Sequence, residues 1–349
     1  MHPEKPWFEW PITFRDRDAQ ALEEVAREQA ALLQEIKWQQ FMFQQQWDEL
    51  RRYALTCNIK FIGDLPFYAA WDSADVWAHR NLFSLDTEGK CIGVAGVPPD
   101  YFNEEGQLWG MPVYNWSAMK EANFDWWTSR LQKNMQWYDL LRLDHFRAFS
   151  AYWEVPSDSD TAKKGEWKAG PAEAFFEVLR DKFRQMPFIA EDLGEIDAPV
   201  YQLRDQFKLP GMKVLQFAFG DDSAKSVHVP HQYNNQHAVV YTGTHDNDTC
   251  VGWFKKELQK KERKRLQDYL GYKVDKQNVS EAMIRLAYAS VAGLAIIPMQ
   301  DVLGKGSSAR MNTPAATQNN WKWRLQPAAQ LQMISIQKLL KSCVVLYGR

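Results

Sequence analysis

The chain has 349 residues, a mass of 40.7 kDa and a net charge of −2, with 45% hydrophobic and 25% charged residues. That composition excludes disorder and gives no electrostatic reason to bind nucleic acid or an anionic membrane. At about 150 residues per domain the length fits one large or two ordinary domains.

Met1 to Trp10 is polar and contains proline, unlike a secretory leader. Asp18 to Thr56 reads as helix, with Leu22, Val25, Leu32, Leu33 and Ile36 at the 3.6-residue period. Within it, Phe43, Trp47, Leu50 and Ala54 continue the spacing. Ile59 to Ile62 then reads as a strand stopping at the loop Gly63-Asp-Leu-Pro66. Residues 83–116 read as a long loop rich in Gly, Pro and aromatics, and loops of that length tend to be lids or binding segments. The grammar of a short apolar run ending at a polar tip recurs. Trp137–Leu143 ends in Asp144, Phe188–Ala190 in Glu191, and Val239–Thr242 leads to His245-Asp246. Met212–Phe219 and Gly293–Met299 complete the set, the latter ending at Gln300-Asp301. Helical patterns at 124–135, 172–184, 199–207 and 279–292 separate the runs. The basic stretch from Lys255 to Arg265, broken by Glu257 and Glu262, reads as a solvated helix face.

Alternating strands and helices predict an α/β fold with a parallel sheet. Polar residues gathered past the strand ends point to a TIM (β/α)8-type barrel. No GxGxxG follows a first strand, and Gly304-Lys-Gly306 begins no phosphate loop. Only six strands are legible.

Cys57, Cys91, Cys250 and Cys343 lie far apart with no CxxC pair, which predicts reduced thiols, no disulfide framework, no zinc site and a cytoplasmic setting. The longest apolar stretch, near Val291 to Met299, is far below the ~20 residues of a membrane helix. Asn247-Asp-Thr249 and Asn278-Val-Ser280 match the glycosylation sequon but have no secretory context. Sixteen Trp, 19 Phe and 13 Tyr make 14% aromatic, which fits either a half-wet stacking groove or an aromatic core.

Asp144, Glu191 and Asp246, at three strand ends, form the central constellation, and barrel geometry brings such residues to one face. Acetal chemistry needs this set: one carboxylate at the anomeric carbon and one carboxylic acid to protonate the leaving oxygen. A third acid can hold sugar hydroxyls. Arg142, two residues before Asp144 on a strand, points the same way and favours an ionised Asp144. Asp192 beside Glu191 is expected to raise the Glu191 pKa. A strand-end acid is also often only a cap or an ion-pair partner, and His245, Asp246 and Asp248 leave a metal-dependent enzyme as an alternative. His145, His228 and His231 read as structural or surface residues. Arg310 and Asn312 either bind or merely fix a loop, and Trp109 is a loop anchor or a sugar platform.

The sequence resembles the amylomaltases, the 4-α-glucanotransferases of the α-amylase clan, through most of its length. The stretches that carry the likeness are Ile62-Gly-Asp-Leu-Pro66, Asp72-Ser-Ala-Asp-Val-Trp77, Gly96-Val-Pro-Pro-Asp-Tyr-Phe102 and Gly106-Gln-Leu-Trp-Gly110. Arg142-Leu-Asp-His-Phe-Arg147, Ala190-Glu-Asp-Leu-Gly194, Thr244-His-Asp-Asn247, Ala309-Arg-Met-Asn-Thr-Pro314 and Asn320-Trp-Lys-Trp-Arg324 follow in the family's order. The resemblance implies that Asp144 is the nucleophile, Glu191 the acid/base and Asp246 the transition-state stabiliser. It also implies that Arg142 orients Asp144, that His245 and Asp64 bind the sugar at the cleavage point, and that Tyr101 and Phe102 stack on acceptor glucose units. Malto-oligosaccharides or starch- and glycogen-derived glucans are then the substrates, transferred with retention, with no cofactor or metal. The two carboxyls of a retaining pair are expected ~5–5.5 Å apart.

Met111 stands where the family commonly has Asn. The family's first two barrel strands have no counterpart, so the six strands correspond to its third to eighth. The reading is one catalytic barrel domain over 1–349, truncated at its N-terminus, with a helical segment at 18–56 and a substrate-binding insertion at 83–116. An upstream polypeptide would complete the barrel, and the chain alone is expected to be unstable or prone to aggregate. The alternatives are a non-catalytic glucan-binding fragment and an α-glucan hydrolase of the same clan.

Overall fold

A computed structural model describes residues 4–99, 104–314, 316, 318–326 and 334–349. The chain divides into two compact units, Met1–Leu209 and Pro210–Arg349.

In the first unit the N-terminal helical segment breaks at Gln29 into Ala19–Glu28 and Ala30–Thr56. Asp18 caps the first piece, its side chain accepting from the Ala21 amide at 2.9 Å. The second runs 27 residues and buries only Ala54. It leaves Trp38, Phe41, Phe43, Tyr53 and Leu55 exposed, and the Arg51–Asp139 ion pair at 2.8 Å ties it to the chain entering a strand.

Seven strands follow among the described residues: β1 (Ile62–Leu65), β2 (Gly93–Val97), β3 (Gln107–Pro112), β4 (Leu140–Leu143), β5 (Ala151–Pro156), β6 (Glu166–Ala169) and β7 (Phe188–Ala190). β1, β4 and β7 pair in parallel, with Asp64 opposite Arg142 and Leu143 opposite Ala190. β1 begins where the apolar run Ile59–Ile62 was expected to end, so Asp64 lies inside the strand rather than past it. Likewise β4 starts at Leu140, because the preceding helix, Asp125–Trp137, holds Trp137. Gly63 is needed at its place, since a Cβ there would fall 2.3 Å from the Tyr138 ring.

The stretch 83–116 is not a plain loop. It contributes β2 and β3 to an antiparallel sheet of order β3-β2-β5-β6. A large share of the unit's aromatic side chains is core. Trp7, Phe67, Trp127, Phe146, Phe149, Phe175 and Phe176 are fully buried, the Phe149 and Phe175 rings stack at 5.2 Å, and the Tyr114 hydroxyl donates to the Phe67 carbonyl at 2.5 Å.

Among its described residues the second unit has three parallel strands, β8 (Gly211–Val214), β9 (Ala238–Tyr241) and β10 (Leu294–Ile296), with β9 between the others. Both outer runs are shorter than expected: a 3₁₀ turn takes Leu215–Phe217 and a helix takes Met299–Val302. Helices Cys250–Lys256, Lys260–Leu270 and Val279–Ala289 pack around β9 through Val240, Trp253, Leu266 and Met283. Thr249 caps the first, Gln259 and Glu262 form a capping box on the second, and Gly271 ends it at φ 77°. No helix among the described residues is long and apolar enough to cross a membrane. The four cysteines are free thiols.

Candidate active site

The first unit assembles four of the predicted residues. Backbone pairing runs on past the strand tips: the Asp144 amide donates to the Leu65 carbonyl, and the Glu191 amide to the Leu143 carbonyl, each at 3.1 Å. Side chains one step beyond β4 and β7 are therefore held by the sheet itself. Arg142, 8% exposed, donates through one nitrogen, Nη1, to Asp64 Oδ1 at 2.6 Å and to Asp144 Oδ1 at 2.8 Å. Burial pulls the Arg142 pKa down, but Asp64, Asp144 and Glu191 outweigh it and the net shift is upward. The guanidinium is a permanent cation facing both aspartates.

Glu191 is the opposite case. Desolvation raises its pKa to about 8, with the Asp144 charge adding to the rise and Arg142 opposing it. Its oxygens accept from the His145 amide at 2.8 Å and the Leu193 amide at 3.0 Å. The expectation that Asp192 raises it is corrected, because Asp192 is turned away into an ion pair with Arg204. Burial is the leading cause instead.

His145 takes a left-handed conformation, φ 51°, which turns its amide towards Glu191. Its ring is buried against Phe67, Tyr68 and Trp109, and burial lowers its pKa to about 3. The side chain is thus packed among aromatic rings while the amide donates to Glu191, a contact that no side-chain pattern announces. Trp109 lies in β3, its ring 4.9 Å from His145 and its Nε1 donating to Gln107. Met111 is packed against the aromatic core of this unit. Tyr101 and Phe102 lie outside the described residues.

The second unit carries His245 and Asp246 beyond β9. Asp246 Oδ1 accepts from Asn312 Nδ2 at 2.6 Å, and its carbonyl accepts from Arg310 Nη2 at 2.6 Å. The Asn312 amide donates to the His245 carbonyl at 3.0 Å. Arg310 and Asn312 therefore hold both the side chain and the backbone of this loop. The His245 ring lies 5.2 Å from Trp321, which is 53% exposed, and 3.4 Å from Asp246. Trp321 was legible only as part of a motif, with no role attached. Asp248 turns inward to the Ser307 hydroxyl and the Thr249 amide. Among the described residues no group of three His, Cys, Asp or Glu is placed to hold a metal ion. His228 accepts from the Val214 amide, and burial lowers its pKa to about 4, in keeping with a structural role.

The fold is of the α/β type and matches an incomplete TIM (β/α)8 barrel. The structure matches that of amylomaltase from Streptococcus agalactiae in complex with acarbose at a TM-score of 0.95, with 36% identity over 99% of this chain and 69% of that one. Residues 1–331 match glycoside hydrolase family 77, described as 4-alpha-glucanotransferase, and the chain belongs to that family. The chloroplastic/amyloplastic 4-alpha-glucanotransferase of Solanum tuberosum is 44% identical over 98% of this chain and 59% of that protein. The 4-alpha-glucanotransferase of Aquifex aeolicus is 44% identical over 99% of this chain and 70% of its own length. The chain thus spans about three fifths of the plant relatives it matches.

Proposed function

We propose that this chain carries the catalytic machinery of a retaining 4-α-glucanotransferase acting on malto-oligosaccharides or starch- and glycogen-derived glucans. The observation that carries the reading is the split between two neighbouring carboxyls: Asp144 against a permanent cation, and Glu191 kept protonated to about pH 8. Pairs driven apart in this way divide into nucleophile and acid. Family membership and the acarbose-bound structural relative support a glucan as the substrate.

In this mechanism an Asp144 oxygen attacks C1 of the donor glucose. The C1–O4 bond breaks, and O4 takes the Glu191 proton. The now anionic Glu191 removes the proton from the 4-hydroxyl of an acceptor glucan. That oxygen attacks C1, the C1–Asp144 bond breaks, and the α configuration returns. Arg142 orients Asp144, and Asp64 and His245 hold hydroxyls of the sugar at the cleavage point. Asp246, fixed by Asn312, stabilises the transition state. Trp109, Tyr101 and Phe102 are the proposed stacking rings, the last two favouring a sugar over water as acceptor. Free thiols accord with a reducing, cytoplasmic setting.

Incubation of the purified chain with maltotriose tests this reading: release of glucose together with saccharides longer than the substrate would establish transfer. Glucose and maltose without longer products would make it a hydrolase. Absence of turnover together with glucan binding would make it a binding fragment.

A further inference from the structure

The second unit contains a buried acid that the mechanism does not use. Asp301 is 1% exposed and lies in the short helix Met299–Val302. Its Oδ2 accepts from the Thr242 hydroxyl at 2.7 Å and the Cys250 thiol at 3.1 Å, and its Oδ1 accepts from the Cys250 amide at 2.7 Å. Thr242 immediately follows β9, and Cys250 opens the helix Cys250–Lys256. Thr242 and Cys250 are themselves fully buried. One carboxylate therefore grips both ends of the segment 243–249, whose middle carries His245 and Asp246.

The rest of that segment has its own supports. Asn247 Oδ1 accepts from the Thr244 amide and hydroxyl, and Gln216 donates to the Asp248 carbonyl. Asp248 Oδ2 accepts from the Ser307 hydroxyl, five residues before Asn312. Asp301 is the group that joins the strand end to the helix start. A carboxylate suits the place because it accepts three hydrogen bonds and donates none. An amide of the same shape would turn a donor nitrogen on at least one of the three donors.

We propose that Asp301 is a positioning residue for Asp246: it sets the distance between the end of β9 and the following helix, and so the geometry of the loop between them. The proposal rests on the reading of Asp246 as transition-state stabiliser only for its kinetic consequence. The clamp itself is independent of that reading.

The test is Asp301→Asn in the whole chain, read first by hydrogen–deuterium exchange. The amides of 243–250 are expected to exchange about tenfold faster, the order of one buried charged hydrogen bond, while those of β8 and of helix Val279–Ala289 keep their rates. With maltotriose, kcat is expected to fall roughly 10- to 100-fold at little change in KM, since misplacement of a catalytic group costs rate rather than binding. The double variant Asp246→Asn/Asp301→Asn is expected to be no slower than Asp246→Asn alone. Unchanged exchange in 243–250, or exchange accelerated throughout the unit, would overturn the clamp. Multiplying losses in the double variant would overturn action through Asp246. An Asp246→Asn variant of wild-type rate would remove the role of Asp246 and leave the exchange result to decide the clamp. If Asp301→Asn does not fold, Thr242→Val deletes one of the three bonds, and unchanged exchange in its 243–250 segment counts against the proposal equally.

Discussion

Asp144→Asn is expected to lower maltotriose turnover by roughly 10⁴- to 10⁶-fold, the scale of losing a covalent nucleophile. The folded chain should change little. An amide of the same shape keeps the Asp144 backbone pairing with Leu65 and leaves Arg142 its contact with Asp64. Initial rates beside thermal melts check both halves of the expectation. Loss of activity with an unchanged melt assigns the loss to chemistry rather than folding.

Glu191→Gln is expected to cost roughly 10²- to 10⁴-fold with maltotriose as donor, because the leaving oxygen then departs without a proton. A donor such as α-maltotriosyl fluoride, whose leaving group needs no acid, should keep a fast first step. The pH profile provides a second signature. Glu191 is protonated up to about pH 8, so donor cleavage by the wild type should fall as pH rises through that value. In Glu191→Gln this basic limb should vanish. Stability has a definite sign as well. The folded pKa lies above the ordinary glutamate value of about 4.5, so the native state binds the extra proton between about 4.5 and 8. Stability falls across that window as pH rises, and the Gln variant should lack this part of the slope.

The strand tips were legible because an apolar run ending at an acid is a local pattern, and in this fold that pattern coincides with the end of a parallel strand. The start of β1 was not. Asn58 turns the chain at φ 55°, the Phe61 amide goes to the Asp139 side chain, and parallel pairing begins only at Ile62. Gly63 and Asp64 have no apolar signature, so a strand that pairs through them reads as a loop. The antiparallel sheet was missed for a related reason. β2 and β5 pair across about sixty residues, and the glycines of β2 resemble turn residues until their neighbours are seen. At Gly93 a Cβ would fall 2.0 Å from the Glu154 carboxyl.

Composition left two readings open. A 14% aromatic content fits either a stacking groove or an aromatic core, and Phe149, Phe175, Phe176 and Trp127 form a core in the first unit. The clustering of Asp64, Arg142, Asp144 and Glu191 was legible in the sequence and its electrostatic causes were not. Desolvation of its carboxyl keeps Glu191 neutral, and the adjacent acidic side chain, Asp192, is paired with Arg204. The backbone donor at His145 follows from a left-handed φ that no side-chain pattern encodes. The Asn312 bond to Asp246 joins positions 66 residues apart, so only the fold shows it.

In the proposed mechanism Asp144 bonds covalently to the sugar while Glu191 handles the proton. The most direct measurement is to mix Glu191→Gln with α-maltotriosyl fluoride, quench within seconds, and locate the added mass by peptide mass spectrometry. One maltotriosyl unit is expected on the peptide containing Asp144, lost when an acceptor sugar with a small anionic nucleophile such as azide is supplied. An adduct on the peptide containing Glu191 or Asp246, or rapid fluoride release with no adduct on Asp144 at any time, would contradict it.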